Sequence, residues 1–168
     1  RESFPETFGQ DSDKAMEIYY DYVRQNHIEK LNSFKDARKL LKTLTNHHIK
    51  AGVISNKKHD ILEKEIISLG WQEYFSVVVG AGIETSDKPS SAPVIYALEK
   101  LKANTSKNTL WYIGDTKEDM QCAMAANVTP VFIKHGFGDE NDIKCLSIEK
   151  IFKDLTEITL FFQKIDAA

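Results

Sequence analysis

Two carboxylates four residues apart, Asp115 and Asp119, follow the apolar run Leu110-Trp111-Tyr112-Ile113-Gly114 and open the helix-compatible stretch Met120 to Ala126. A short apolar run of this kind reads as a buried strand. Open α/β sheets place their ligands beyond the carboxyl ends of such strands. Carboxylates at that edge make a hard-oxygen site suited to magnesium, although an acid there would also favour a helix N-terminus. Two further polar groups stand at comparable positions. Ser55-Asn56-Lys57 follows Val53-Ile54. Its hydroxyl, with the N–H groups of Asn56 and Lys57 at the start of a helix, would cradle a phosphate oxygen, or Ser55 would cap that helix. Lys88 precedes Pro89 in a loop. Such a lysine neutralises a phosphate and a carboxylate together, or remains a solvated surface charge.

The elements that must position these groups can be followed along the chain. Arg1 to Gln10 lacks a clear period and reads as loop, and Lys14 to His27 carries a helical stripe of Met16, Ile18, Tyr19, Tyr22 and Val23. Ser33 offers an N-cap for a helix bearing Ala37, Leu40, Leu41 and Leu44. Residues 49–54 read as a strand, and Ile61 to Leu69 as a helix stopped by Gly70. The β-branched run 75–79 is a second strand, followed by a polar loop and a helix from Ala92 to Leu101. After the Leu110–Gly114 strand and its helix comes a fourth strand, Thr129–Ile133. Cys145-Leu146 is read as a short last strand, and Ile148 to Phe152 as the opening of a terminal helical region. Strands alternating with helices over short connections predict βαβ units, an α/β fold with a mostly parallel sheet. Crossovers should be right-handed, with helices on both faces.

Composition narrows the function classes. A chain of 168 residues with 42% hydrophobic and 28% charged residues suits one domain with a small appendage. A net charge of −3 argues against a nucleic-acid surface. Cys122 and Cys145 lie outside any metal-ligand spacing and read as reduced thiols, a disulfide being the less favoured alternative. No apolar stretch reaches the length of a membrane span, and Arg1-Glu2-Ser3 begins no signal peptide. The expected setting is therefore cytoplasmic, with no membrane partner. No Gly-x-Gly-x-x-Gly follows any strand, which weakens a dinucleotide-binding reading. His47, His48, His59 and His135 receive no role, and oligomeric state is not specified.

Taken in order, VISNK, DKPSSAPVIYAL and WYIGDTKEDMQCAMAA resemble the second, third and fourth motifs of the haloacid dehalogenase-like phosphohydrolases, and most nearly the phosphoglycolate phosphatase-like group. Ser55 stands at the family's Thr or Ser, Lys88 at its lysine and Asp115 at its magnesium-binding acid. Pro93, Ala97-Leu98, Ala123, Ala126 and Gly136 fit the surrounding pattern, while Ser91 replaces a frequent proline and Asn127 a usual glycine. The resemblance covers Asn32 to Gly138. It implies a Rossmann-like three-layer sandwich over 32–168, with 1–31 as a loop and the remnant of a helical cap.

The resemblance also implies a reaction. A magnesium-dependent attack by an aspartate on a small phosphorylated metabolite would form an aspartyl-phosphate, which water hydrolyses. Asp115 would be the metal ligand and Asp119 a secondary one. Ser55, Asn56 and Lys57 would bind phosphate oxygens, and Lys88 would hold phosphate and nucleophile. The family's first motif, a strand ending Asp-x-Asp-x-Thr, is the main departure. The only upstream Asp-x-Asp is Asp11-Ser12-Asp13, with no apolar strand before it and Ala15 where Thr belongs. The central first strand is therefore expected to be absent, leaving a fault between Val53-Ile54 and Trp111-Ile113. The alternative function is a non-catalytic phosphate- and magnesium-binding or protein-interaction domain on the same fold.

Overall fold

A computed structural model describes residues 3–106, 109–134, 138–146, 148 and 150–164. The chain forms two compact units, Arg1–Ser33 and Phe34–Ala168. In the first, helix α1 (Ser3–Phe8) and a 3-10 turn (Gly9–Asp11) lead into helix α2 (Ser12–Asn26). The segment expected to be loop is thus mostly helical. Pro5 lies in the first turn, where a missing N–H costs little, and Gly9 ends α1 at φ +51°. Phe4 and Phe8 stack one turn apart with ring centroids at 5.4 Å, and Phe4 also meets Tyr19 of α2 at 5.6 Å. Aromatic pairing across the two helices is what the local sequence period did not reveal.

The second unit begins with helix α3 (Ala37–Asn46), followed by strand β1 (Gly52–Lys58), helix α4 (His59–Ser68) and strand β2 (Val77–Ala81). Helix α5 (Ala92–Leu101), strand β3 (Trp111–Gly114) and helix α6 (Lys117–Ala125) come next. Strands β4 (Thr129–Ile133) and β5 (Lys150–Phe152) and helix α7 (Leu155–Gln163) complete it. Every pairing is parallel, so the α/β, Rossmann-like architecture is as expected. Leu40 and Leu44 of α3 pack with Ile158 and Phe162 of α7 against Val131, Ile133 and Phe152. Met120 of α6 packs on Phe132. Val94 of α5 and Cys122 of α6 share a cluster that touches both Ile54 of β1 and Tyr112 of β3.

The strands do not form one sheet. β1 pairs with β2, while β3, β4 and β5 form a separate ladder. The expected fault between Val53-Ile54 and Trp111-Ile113 is present: among the described residues β1 and β3 are not hydrogen-bonded. Burial follows the same division. Val131, Phe132 and Ile133 of β4 and Val77 and Val79 of β2 are buried, whereas Val53, Ile54 and all four residues of β3 are only half-buried.

Several boundaries differ from expectation. Ser33 caps nothing, since α3 begins after Asp36, whose carboxylate instead accepts from Thr156 Oγ1 at 3.0 Å. β1 starts three residues later than expected and runs on through Lys58, with a register shift between Ile54 and Lys58. Cys145-Leu146 forms no strand, while Lys150–Phe152 is strand rather than helix because it completes the ladder beside Val131–Ile133. Cys122 is buried, Cys145 is exposed, and both are free thiols. Asn127, at the family's usual glycine position, takes the left-handed conformation that asparagine tolerates, at φ +55°. Gly136 and His135 lie outside the described residues.

Candidate active site

Gly114 ends β3, and its lack of a side chain lets the next helix turn back onto it. A Cβ at that position would overlap the Cβ of Asp119 and come within 2.6 Å of its Cγ. Asp119 therefore sits directly over the strand end. Thr116 caps α6 by accepting from Asp119 N at 3.2 Å, and Asp119 returns the bond from its carboxylate in a capping box. Asp119 Oδ2 also accepts from Asp115 N at 3.3 Å and from the Thr116 hydroxyl at 2.8 Å. The carboxylate thus fixes the backbone that presents Asp115. From the other side, Gly138 lies so close to the Asp115 carbonyl that a Cβ there would collide with it.

The other oxygen of Asp119 is taken by the lysine. Lys88 Nζ donates to Asp119 Oδ1 at 2.6 Å, and the two side chains are only 13% and 7% exposed. The Tyr112 hydroxyl donates to the same oxygen at 3.3 Å. Burial pushes the Asp119 carboxyl up, but the Lys88 ammonium and the hydrogen bonds from Lys88 and Thr116 outweigh it and hold the group below the usual carboxylate value. Burial, then Asp119 and Cys122, push the Tyr112 phenol far up, so it stays a neutral donor. Burial likewise pushes the Cys122 thiol up to about 11, with Lys88 opposing and Asp119 adding to the rise. Its Sγ donates to the Ser90 carbonyl at 2.9 Å, so this cysteine is a packed thiol rather than a nucleophile.

On β1, the geometry around Ser55 differs from a helix N-terminus. α4 begins at His59, and Ser55, Asn56 and Lys57 belong to the strand. Lys57 N donates to Ser55 Oγ at 3.1 Å, an internal turn that leaves the serine's own hydrogen without an acceptor among the described residues. The Lys57 ammonium points away to the buried Glu65, at 2.7 and 2.6 Å from its two oxygens. The Asn56 carboxamide reaches across to Lys88: Lys88 N donates to Asn56 Oδ1 at 2.9 Å, and Asn56 Nδ2 donates to the Lys88 carbonyl at 3.0 Å. Ser55-Asn56, Lys88, Asp115 and Asp119 are thereby linked into one polar network at the carboxyl ends of β1 and β3. The side chain of Lys57 is the group that does not join it. Gly114, Thr116 and Tyr112 are the participants that residue-type reasoning passed over. Gly-Asp-Thr with Asp three positions after the threonine is itself a capping-box signature and could have signalled Thr116.

These donors offer a divalent cation a small set of ligands. No group of three or more His, Cys, Asp or Glu side chains converges among the described residues. Magnesium is commonly held by one or two carboxylates, with waters and phosphate completing its shell. Asp115 fits such a role as a single ligand. Asp119 is already committed to Lys88 and Thr116.

The sequence model of the haloacid dehalogenase-like hydrolases matches residues 1–133. A phosphoglycolate phosphatase of Psychrobacter arcticus is 24% identical over 152 residues, covering 90% of this chain and 65% of that protein. The pyrophosphatase PpaX of Oceanobacillus iheyensis is 23% identical over 147 residues, covering 88% and 68%. The crystal structure of a haloacid dehalogenase-superfamily hydrolase from Ehrlichia chaffeensis aligns with a TM-score of 0.67 at 26% identity, covering 98% of this chain and 75% of that one. The chain thus spans about two thirds of the length of these curated relatives.

Proposed function

The chain belongs to the haloacid dehalogenase-like hydrolase family, and on that premise we propose that its network at the ends of β1 and β3 is the phosphate and metal side of a phosphatase active site. The observation that carries this reading is the buried Lys88–Asp119 pair, which holds a cation on the carboxylate that also fixes the Asp115 backbone. Surface lysines are rarely held this way.

In this reading Ser55 donates its unused hydroxyl hydrogen to a phosphate oxygen, and the Asn56 N–H assists it. The Lys57 N–H acts through Ser55, polarising the hydroxyl it already bonds. Lys88 contributes fixed positive charge toward the phosphate and toward an attacking carboxylate. Asp115 would hold magnesium, with Asp119 in a secondary role that orients the helix and the Asp115 backbone, and the metal when bound neutralises phosphate charge. The attacking aspartate, which would form the aspartyl-phosphate, belongs on a strand that fits between β1 and β3. Among the described residues each of those two strands has one edge without a strand partner and half-buried residues beside it, which supports that placement. The substrate is a small phosphate compound, and the names of the relatives suggest both a monoester and pyrophosphate as candidates.

The test compares this chain with a longer one that adds a strand ending Asp-x-Asp-x-Thr, each assayed with para-nitrophenyl phosphate, pyrophosphate and magnesium. The longer chain is expected to release phosphate and to lose that activity on Asp115→Asn, while this chain releases none. Robust turnover by this chain, abolished by Asp11→Asn, would reverse the assignment of the nucleophile. Magnesium-dependent protection of Asp115 without turnover in either chain would favour a binding domain over an enzyme.

A further inference from the structure

Lys88 lies in a loop, outside any helix or strand, so no regular ladder fixes its backbone. The residue after it is Pro89, which has no N–H to offer a restraining bond. Even so, its ammonium reaches one oxygen of a buried carboxylate at 2.6 Å. A long side chain holds such a position only if its starting point and direction are set. Both polar groups of the Lys88 backbone are taken by a single side chain from 32 residues earlier: the Asn56 carboxamide accepts from Lys88 N at 2.9 Å and donates to Lys88 O at 3.0 Å.

We propose that Asn56 is a positioning residue whose carboxamide clamps the Lys88 backbone and so aims the Lys88 ammonium at the phosphate site. The inference rests on the phosphate-site reading above, but it assigns Asn56 a task different from binding phosphate through its own N–H. The chemistry requires a primary carboxamide. One group must accept and donate in the same plane, as a peptide does, to satisfy the N–H and C=O of one residue together. Alanine offers neither bond, while aspartate keeps the acceptor but sets a second oxygen against the Lys88 carbonyl.

The clamp also has a place in the fold. Asn56 stands on β1, Lys88 follows β2, and Asp119 lies in α6 after β3. The line Asn56–Lys88–Asp119 therefore crosses from the two-stranded sheet to the three-stranded sheet, where among the described residues no strand pairing connects β1 with β3. The position of Lys88 relative to both halves of the site depends on it.

The experiment is a double-mutant cycle read by calorimetric binding of inorganic phosphate in magnesium buffer. Asn56→Ala is expected to weaken phosphate binding by about tenfold when Lys88 is present, and by less than about twofold in the Lys88→Met background, because the two residues act in series. Asn56→Asp, which preserves shape, should behave like the alanine variant and guards against a folding defect. Equal losses in both backgrounds, or no loss with Lys88 present, would overturn the proposal. If the unmutated chain binds no phosphate, the phosphate-site reading fails, and the clamp is decided separately by NMR of lysine labelled at its ε-carbon. Migration of the Lys88 ε resonances toward those of exposed lysines in Asn56→Ala sustains the clamp. Unchanged resonances reject it.

Discussion

Lys88 and Asp119 depend on each other unequally. Asp119 accepts from Lys88, Tyr112, Thr116 and the Asp115 N–H, whereas among the described residues the Lys88 ammonium donates to Asp119 alone. Asp119→Asn therefore strands a buried cation and should cost about 3 kcal/mol in urea unfolding, more than Lys88→Met, which leaves the carboxylate with its other donors. The pH dependence has a defined sign. The carboxyl of Asp119 lies lower in the folded chain than in the unfolded one, so its contribution is complete above the ordinary carboxylate range. It fades as pH falls through that range toward the folded value. The acid limb of the stability profile, from about pH 5 downward, should be shallower in Asp119→Asn than in the parent chain. An unchanged limb would mean that the pair does not contribute to folding. The pairing partner could not be read from residue types, because Lys88 and Asp119 are 31 residues apart and only the loop after β2 brings them together.

At the level of elements, the β3–α6 junction is built around a missing side chain. Gly114 leaves the space that Asp119 fills, and α6 could not begin where it does if a Cβ stood there. Gly114→Ala should destabilise by about 1–3 kcal/mol through overpacking. It should also displace the carboxylate from Lys88, so the variant loses the acid-limb contribution of Asp119 along with stability. A variant with parent-like melting and an intact acid limb would show that the junction tolerates the methyl group. This junction was largely legible beforehand, since an apolar run, Gly-Asp and a helical stretch occur in sequence. β1 was less legible. Val53-Ile54 announces a strand, but Ser55 to Lys58 carry no strand signal; Ser55 to Lys57 lie in a register shift, and pairing resumes at Lys58 with Ala81. Tertiary pairing outweighed local propensity at that point.

Across the whole unit, β4 is the one described strand with a partner on both sides. Its residues Val131, Phe132 and Ile133 are buried, while β1 and β3 each leave one edge without a described strand partner and half-buried apolar residues beside it. Local opening follows such differences in packing. Amide hydrogen exchange should be slowest in β4 and faster in β3 and β1, despite the apolar character of Trp111-Tyr112-Ile113. Equal protection of all three strands would argue that the free edges are covered in solution. Such edges also recruit other strands, and aggregation at high concentration should fall when a strand is supplied between β1 and β3.

The order and spacing of the segments around Ser55, Lys88 and Asp115 sufficed to identify the family, because the resemblance lies in short local motifs that a sequence displays directly. Strand and helix alternation likewise sufficed for a parallel α/β fold, since hydrophobic period is a local property of the chain. The choice of which group binds which was made only by the tertiary structure. The Lys57 ammonium went to Glu65, Lys88 to Asp119, and the Asn56 carboxamide to the Lys88 backbone. Those choices depend on distances between segments far apart in sequence, set by how the helices pack on two separate sheets, and no local pattern encodes them.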